Sequence, residues 1–193
     1  SEGRVAEAIH EYEAAIRIDT GHVEALSGLG LAVSRDGQDE KAIEIYEEAV
    51  AEKPLSASLQ YSLGMAYSKV QRHEEAIEVF KKAIEINPNY AEPYLALGNG
   101  YTALGKREEA QKLLAVFQEL NTYQEDLTRA KDLVKMHPHV AEAHYNLATA
   151  FTKAGQFDDA VQEYKIATDL APRFVQAYNN LGVTYVQLGV YEE

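Results

Sequence analysis

The 193-residue sequence contains no cysteine and no tryptophan, and it has no long run of apolar residues. The absence of cysteine excludes disulfide bonds, thiolate zinc sites and thiol nucleophiles. Without about 18 consecutive apolar residues, no segment is predicted to span a membrane. Basic residues are scarce: 18 Lys and Arg stand against 31 Asp and Glu, a net charge of −13. Because nucleic-acid binding depends on Lys and Arg that neutralise phosphates, we expect no nucleic-acid partner.

The sequence repeats itself with a period of 34 residues. Alanine, leucine and proline return at this step in several places, together with a Gly-x-x-Tyr motif. A fixed period of this length predicts a solenoid built from one repeated supersecondary unit. The recurring residues are Ala8, Ala42, Ala76 and Ala110; Leu29, Leu63 and Leu97; Pro54 and Pro88; Pro138 and Pro172; and Gly64 with Tyr67 and Gly98 with Tyr101.

Each unit is predicted to be a hairpin of two helices, A and then B. Ala76, Phe80 and Ala83 follow the i, i+4, i+7 spacing of one buried helix face. Turn glycines such as Gly37 end helix A, and the prolines that follow helix B prevent its continuation. The predicted single array over 1–193 consists of a half unit 1–22, units 23–56, 57–90 and 91–122, a lengthened segment 123–140, and units 141–174 and 175–193, the last one incomplete.

The second complete unit carries the fullest pattern, which is Tyr61-Ser62-Leu63-Gly64-Met65-Ala66-Tyr67, Glu75-Ala76, Phe80, Ala83 and Pro88. This pattern resembles the tetratricopeptide repeat. The resemblance implies an all-α fold, an α-α superhelix (solenoid) of stacked helical hairpins with one continuous core. Gln71 departs from the family because it replaces a turn glycine. The aromatic residue expected early in helix A varies as well, since the successive units have Leu26, Gln60, Tyr94, His144 and Tyr178.

One spacing is longer than the others. The third and fourth units start at Ala91 and Ala141, which is sixteen residues more than the period. The stretch between them at 106–137 has neither glycine nor proline, so we predict one long helix B over 107–136. The alternative breaks this helix at Asn121, with Thr122 and Glu125 forming the capping box of a separate helix. Parity favours the long helix, because one additional short helix would reverse the direction of every later hairpin.

The resemblance also implies where a partner binds, since in this family the A helices line a concave groove and the B helices form the convex back. Asn146 and Asn180 share one repeat position. An amide at this position offers a donor and an acceptor to the backbone of an extended peptide, and the alternative is that both amides simply face solvent. By the repeat period, the groove is expected to present Arg35, Tyr61, Ser62, Met65, Lys69, Asn99, Tyr145, Asn146, Thr149, Lys153, Asn179, Asn180 and Val183.

No constellation of residues predicts catalysis, a cofactor or a native metal. Neighbouring acids such as Glu74 and Glu75 fall in the first turns of B helices, where carboxylates favour the helix dipole. His137, His139 and His144 cluster in the sequence, but His144 occupies the helix-A aromatic position and is expected to point between helices. The chain is therefore predicted not to be an enzyme.

The predicted function is a protein–protein interaction scaffold that binds an extended peptide or a helix of a partner in its concave groove. The alternatives are self-association end to end through apolar faces at open ends, or a substrate-recruiting arm of a larger enzyme. The A helices carry three basic and four acidic residues, so the groove is predicted nearly neutral and the back acidic. The missing initiator Met and the last residues Tyr191-Glu192-Glu193 suggest a piece of a longer solenoid, and no compartment is predicted.

Overall fold

The structure, a computed structural model, describes residues 2–189 and contains ten α-helices and no strand over that range. The all-α solenoid prediction is therefore confirmed. None of these helices is both long and apolar enough to cross a lipid bilayer. Residues 1 and 190–193 lie outside the described residues, and the latter are the last four residues of the predicted unit 175–193. The helices are α1 Glu2–Ile18, α2 Val23–Arg35, α3 Asp39–Glu52, α4 Ala57–Lys69, α5 His73–Ile86, α6 Ala91–Ala103, α7 Arg107–Met136, α8 Ala141–Lys153, α9 Phe157–Leu170 and α10 Val175–Leu188.

The helices pack into two compact units that divide after Gln118. Unit 1 contains α1 to α6 and the first part of α7, and unit 2 contains the rest of α7 with α8 to α10. Within unit 1 the helices α1 to α6 each pack against the next, and so do α8 to α10 within unit 2. In unit 1 the A helices α2 and α4, and α4 and α6, also contact each other, whereas the B helices α3 and α5 make no comparable contact. Unit 1 therefore curves towards its A-helix side.

Glycines on the A helices leave space for aromatic side chains of the B helices. A methyl group added to Gly30 would lie 2.8 Å from the Tyr46 ring, and one added to Gly64 would overlap the Phe80 ring. Both rings are buried, and Phe80 is only 1% exposed. The hairpins are close-packed because glycine leaves room for these rings, as the pattern of small and large residues predicts.

The turns between the A and B helices use the left-handed backbone conformation. Gly37, Gly105, Gly155 and Gly189 have φ values of 83°, 76°, 72° and 69°. Gln71, which replaces the turn glycine of its unit, is held at φ 63° in the same place. The fold therefore imposes the turn on a residue with a Cβ atom, at the cost of local backbone strain.

Helix α7 runs without a break over 30 residues, which confirms the long-helix prediction. The alternative, a break at Asn121, is wrong. Glu125 was expected to close a capping box with Thr122, but its Oε1 accepts a hydrogen bond from Asn121 Nδ2 at 2.8 Å. This contact spans one helical turn, and Tyr123 donates to Glu119 Oε1 across another, so the side chains support a continuous helix.

The two parts of α7 serve different hairpins. In unit 1 its first part packs as helix B against α6, where a methyl group added to Gly98 would lie 3.2 Å from Leu114. In unit 2, Leu127 and Ala130 are buried with Leu147 and other residues of α8. Residues 123–136 also precede α9 by one period of 34 residues and are followed by a proline in the same way. The surplus length of α7 thus provides the helix B on which α8 packs.

Candidate functional site

The main candidate site is a cavity of about 610 Å³ in unit 1, formed by residues of α2, α3 and α4. It gathers five of the residues that the sequence predicted for the groove, namely Arg35, Tyr61, Ser62, Met65 and Lys69. Since α2 and α4 are successive A helices, the cavity opens on the A-helix side of the unit. The remaining lining residues are Leu31, Ser34, Tyr46, Ala66 and Ser68.

The cavity repeats two kinds of side chain at the period of 34 residues. Leu31 precedes Met65 by one period, and both are about half exposed, at 49% and 46%. Arg35 precedes Lys69 by the same step, so each A helix brings one large apolar side chain and one cation. Leu31 was missed in the sequence analysis, although its spacing from Met65 was a signal sufficient to find it.

Lys69 is held in place by its neighbours. Its Nζ donates to Ser34 O at 2.7 Å, to Ser34 Oγ at 3.1 Å and to Asp39 Oδ1. The hydrogen bond from Lys69 holds the pKa of the Asp39 carboxyl below its usual value. This network ties α4 to the end of α2 and the start of α3, so Lys69 has a structural role as well as a place in the cavity wall.

Arg35 is in a different situation from Lys69. Its side chain is exposed, and over residues 2–189 it makes no hydrogen bond and no ion pair. None of the ten residues that line the cavity is acidic. The Arg35 guanidinium is thus available to a ligand.

An aromatic cluster is centred on Tyr61, which lines the larger unit 1 cavity. The ring centroid of Tyr61 lies 5.9 Å from that of Phe80 and 5.4 Å from that of Tyr90, in tilted and edge-on arrangements. Burial raises the pKa of Tyr61, and it raises the pKa of Tyr90 to about 12. Burial of these rings makes this part of the site largely apolar.

A smaller cavity of about 190 Å³ continues the same surface towards α6. Met65 and Ser68 line both cavities, and the predicted residue Asn99 lines the smaller one with His73, Ala96 and Gly100. The six predicted residues of unit 1 therefore lie along one surface that runs from α2 to α6.

Unit 2 repeats the aromatic cluster but adds hydroxyl groups to it. Tyr145 lies 5.8 Å from Tyr164 and 4.9 Å from Phe174, measured between ring centroids. Asn180 Nδ2 donates to the hydroxyl oxygens of both tyrosines, at 3.2 Å to Tyr145 and 3.4 Å to Tyr164. The hydroxyls of Thr149 and Tyr164 are 3.2 Å apart. Asn180 is therefore engaged within the protein.

The other predicted residues of unit 2 are more open. Asn146, Thr149 and Lys153 line a cavity of about 250 Å³ against the second part of α7. Asn146 is exposed and makes no side-chain hydrogen bond to any residue of the described range. Val183 is 49% exposed, and the Nδ2 atom of exposed Asn179 lies 3.4 Å from Asn180 Oδ1. Asn146 and Asn180 thus share a repeat position but have different surroundings.

His144, which belongs to the histidine cluster of the sequence, has a structural role. It is 6% exposed, and its Nε2 donates to Pro138 O at 3.0 Å while its Nδ1 lies 2.6 Å from Glu163 Oε2. Gln60 and Tyr94, at the same repeat position, donate to the carbonyls of Pro54 and Pro88. What these three residues share is a donor for the carbonyl of the preceding turn.

The other two histidines of the cluster, His137 and His139, are exposed. Within residues 2–189 no group of three His, Asp or Glu side chains is arranged to hold a metal ion.

A further cavity of about 720 Å³ lies on the second part of α7 and was not predicted from the sequence. It lies on the part of α7 that was predicted as a lengthened segment, where no groove residue was expected. Its lining residues are Gln124, Glu125, Thr128, Arg129, Asp132, Leu133 and Met136.

Stacked two-helix units of fixed period, with cavities on the A-helix side, define an α-solenoid of the scaffold class. Family models of the tetratricopeptide repeat match residues 1–57, 57–90 and 148–189. The chain belongs to the tetratricopeptide repeat family. No curated protein sequence is significantly similar to it.

Solved structures with the same fold cover most of the chain. The crystal structure of MamA is 25% identical and matches 90% of this chain and 92% of its own, with a TM-score of 0.57. A tetratricopeptide protein of Thermus thermophilus, TTC0263, is 24% identical over 95% of this chain and 92% of its own, with a TM-score of 0.54. The second tetratricopeptide domain of Spaghetti (RPAP3), solved with the HSP90 peptide SRMEEVD, is 27% identical over 59% of this chain and 98% of its own, with a TM-score of 0.50.

Proposed function

We propose that this protein is an interaction scaffold that holds an extended segment of a partner protein against its A helices. The contact surface in unit 1 runs along α2, α4 and α6, and the corresponding surface in unit 2 involves α8 and α10. Proteins of this family are in general non-catalytic scaffolds, and the proposal includes no catalytic step and no cofactor.

The observation that carries this proposal is the continuity of the two cavities in unit 1. Met65 and Ser68 line both, and the contacts between α2 and α4 and between α4 and α6 support a ligand surface that continues along these A helices. An extended chain needs such a channel, because it must bury successive side chains along its length. The peptide bound to the Spaghetti domain supports the proposal, since that domain has a similar fold.

The proposal is tested by selecting short random peptides displayed on phage with the purified chain. We expect recovery of specific peptides and loss of their binding, by about tenfold or more, in the Met65→Glu variant, because a carboxylate on this apolar surface must be desolvated by the ligand. Leu55→Glu is the matched control. Leu55 is an apolar side chain that is 81% exposed and lines neither cavity, so its variant should bind normally. Equal loss in both variants, or no selected peptide, would contradict the proposal.

A second candidate function is end-to-end association of two copies through α10. A methyl group added to Gly182 would meet no atom within 4 Å, whereas Gly30 and Gly64 at the same repeat position seat aromatic rings. Tyr178 on this helix is 50% exposed, so the α10 face offers room for another helix. Light scattering at rising protein concentration tests this candidate: dimers and larger species are expected, and a strict monomer throughout would eliminate it.

A further inference from the structure

We propose that the cavity of about 610 Å³ in unit 1 recognises an acidic side chain beside a large apolar one, within an internal segment of the partner protein. Arg35 pairs with the carboxylate, and Leu31 and Met65 cover the apolar side chain. This inference rests on the proposed function, because it names the chemistry of the segment that the scaffold holds.

The charge of the cavity is opposite to the charge of the chain. The sequence has 31 acidic and 18 basic residues, yet the cavity is lined by two basic residues and by no acidic residue. A basic cavity in an acidic protein favours a negative group over a positive one.

Arg35 provides the charge for this recognition. The ammonium group of Lys69 is already compensated by Asp39 and by two oxygen atoms of Ser34, so its field on a ligand is weakened. Arg35 makes no ion pair or hydrogen bond within residues 2–189. Its planar guanidinium fits a carboxylate with two parallel hydrogen bonds, which is the strongest common pairing for that group.

The apolar part of the site lies within one helical turn of Arg35. Leu31 precedes Arg35 by four residues on α2, so their side chains share one face of the helix. Met65 occupies the same repeat position as Leu31 on the neighbouring helix α4. Both apolar side chains are about half exposed, and a ligand side chain placed against them would remove apolar surface from water.

The shape of the surface favours an internal segment over a chain terminus. Met65 and Ser68 also line the next cavity, which extends to Asn99 and Gly100 on α6. A ligand seated beside Arg35 can therefore continue past Met65 in an extended conformation. A terminal carboxylate would leave part of this surface unused on one side.

The test uses peptides selected from a short random library by the wild-type chain and, separately, by the Arg35→Gln variant. We expect the wild type to enrich Asp or Glu next to a large apolar residue, and the variant to lose the acidic preference. The peptide most enriched by the wild type is then synthesised with its C-terminus amidated, alongside a copy in which the acid is replaced by its amide. Fluorescence anisotropy should show about a tenfold loss of affinity for the amide copy with the wild type and almost none with Arg35→Gln.

Two controls accompany the peptides. Arg35→Lys retains the charge and should retain part of the acidic preference. Lys82→Gln removes an exposed cation of the B helix α5 that lines neither unit 1 cavity, and this variant should bind the selected peptide as the wild type does. Far-UV circular dichroism of each variant verifies that its helices are intact.

The outcomes separate this inference from the proposed function. If the wild type binds peptides without an acidic preference, or if Arg35→Gln selects the same peptides, the inference is wrong and the scaffold function stands. If amidation of the C-terminus abolishes binding, the ligand is a chain terminus and the inference is also wrong. If the wild type selects no peptide, the proposed function itself fails.

Discussion

At the scale of single residues, Asn146 and Asn180 show what a repeat position determines. The period places both amides at the same point of helix A, as the sequence predicts. Their hydrogen bonds differ because the preceding helix B differs: it presents Tyr164 to Asn180 but the small residue Ala130 to Asn146. Ala130 leaves a cavity where the tyrosine would be. The repeat pattern therefore predicts which way a side chain faces, whereas its contacts depend on the neighbouring hairpin.

Two glycines at one repeat position give a prediction about packing. Gly64→Ala should destabilise the protein by about 1–3 kcal/mol, because the added methyl group overlaps the buried Phe80 ring. Gly182→Ala should be neutral or stabilising by up to about 1 kcal/mol, since its methyl group meets no atom and alanine favours the helix. Urea unfolding followed by circular dichroism measures both changes. Similar effects of the two substitutions would refute the packing difference.

At the scale of the elements, α7 shows how much structure the lack of glycine and proline can predict. The lack of glycine and proline over 106–137 predicts a continuous helix, and the structure confirms it. The division of its contacts between two hairpins was not predicted. That division depends on which faces α6 and α8 present, and α7 has residues such as Ala130 and Leu133 in place of the usual repeat residues. The length of α7 could be predicted from the sequence, but the helices against which it packs could not.

The continuity of α7 gives a prediction at its centre. Tyr123→Pro should destabilise the protein by about 3 kcal/mol, because a proline removes a backbone hydrogen bond and clashes within the helix. If a separate helix began at this residue, proline would be tolerated in its first turn. Tyr123→Ala is the control for the lost hydrogen bond to Glu119. Thermal unfolding compares the two variants, and equal stabilities would argue against a continuous helix.

At the scale of the whole molecule, the sequence predicts that the acidic charge lies away from the groove. The lining of the larger unit 1 cavity agrees with this expectation, since none of its residues is acidic. The division into two compact units after Gln118 was not foreseen, because the period continues in similar form on both sides of α7. A repeat sequence encodes local stacking, and the boundaries of compact units depend on contacts that no single repeat contains.

The stability of the molecule should fall in alkaline solution. Burial raises the pKa of Tyr67 and Tyr90 to about 12, and the hydrogen bond from Tyr67 to Glu47 adds to the effect at Tyr67. Unfolded tyrosine ionises near pH 10, so the unfolded state loses these protons first. The contribution of these two tyrosines to the free energy of unfolding should therefore be constant below about pH 10, and the free energy should decrease as the pH rises from 10 towards 12.

Urea unfolding at several alkaline pH values measures this decrease. The double variant Tyr67→Phe with Tyr90→Phe should show a shallower pH dependence over the same window, because phenylalanine does not ionise. An unchanged slope in the variant would mean that other groups cause the loss of stability.

The hydrogen bonds from Gln60, Tyr94 and His144 to proline carbonyls have a consequence for the exchange of repeats. In these three units, helix A is hydrogen-bonded to the turn six residues before the donor side chain. It is therefore anchored to that turn as well as to the helix B that follows it. A segment cut at the start of helix A would leave its anchoring carbonyl behind, whereas a segment cut before the proline would carry both partners. The natural module for recombination in this chain therefore begins at the proline, and a graft made in that frame can accept glutamine, tyrosine or histidine at the anchoring position.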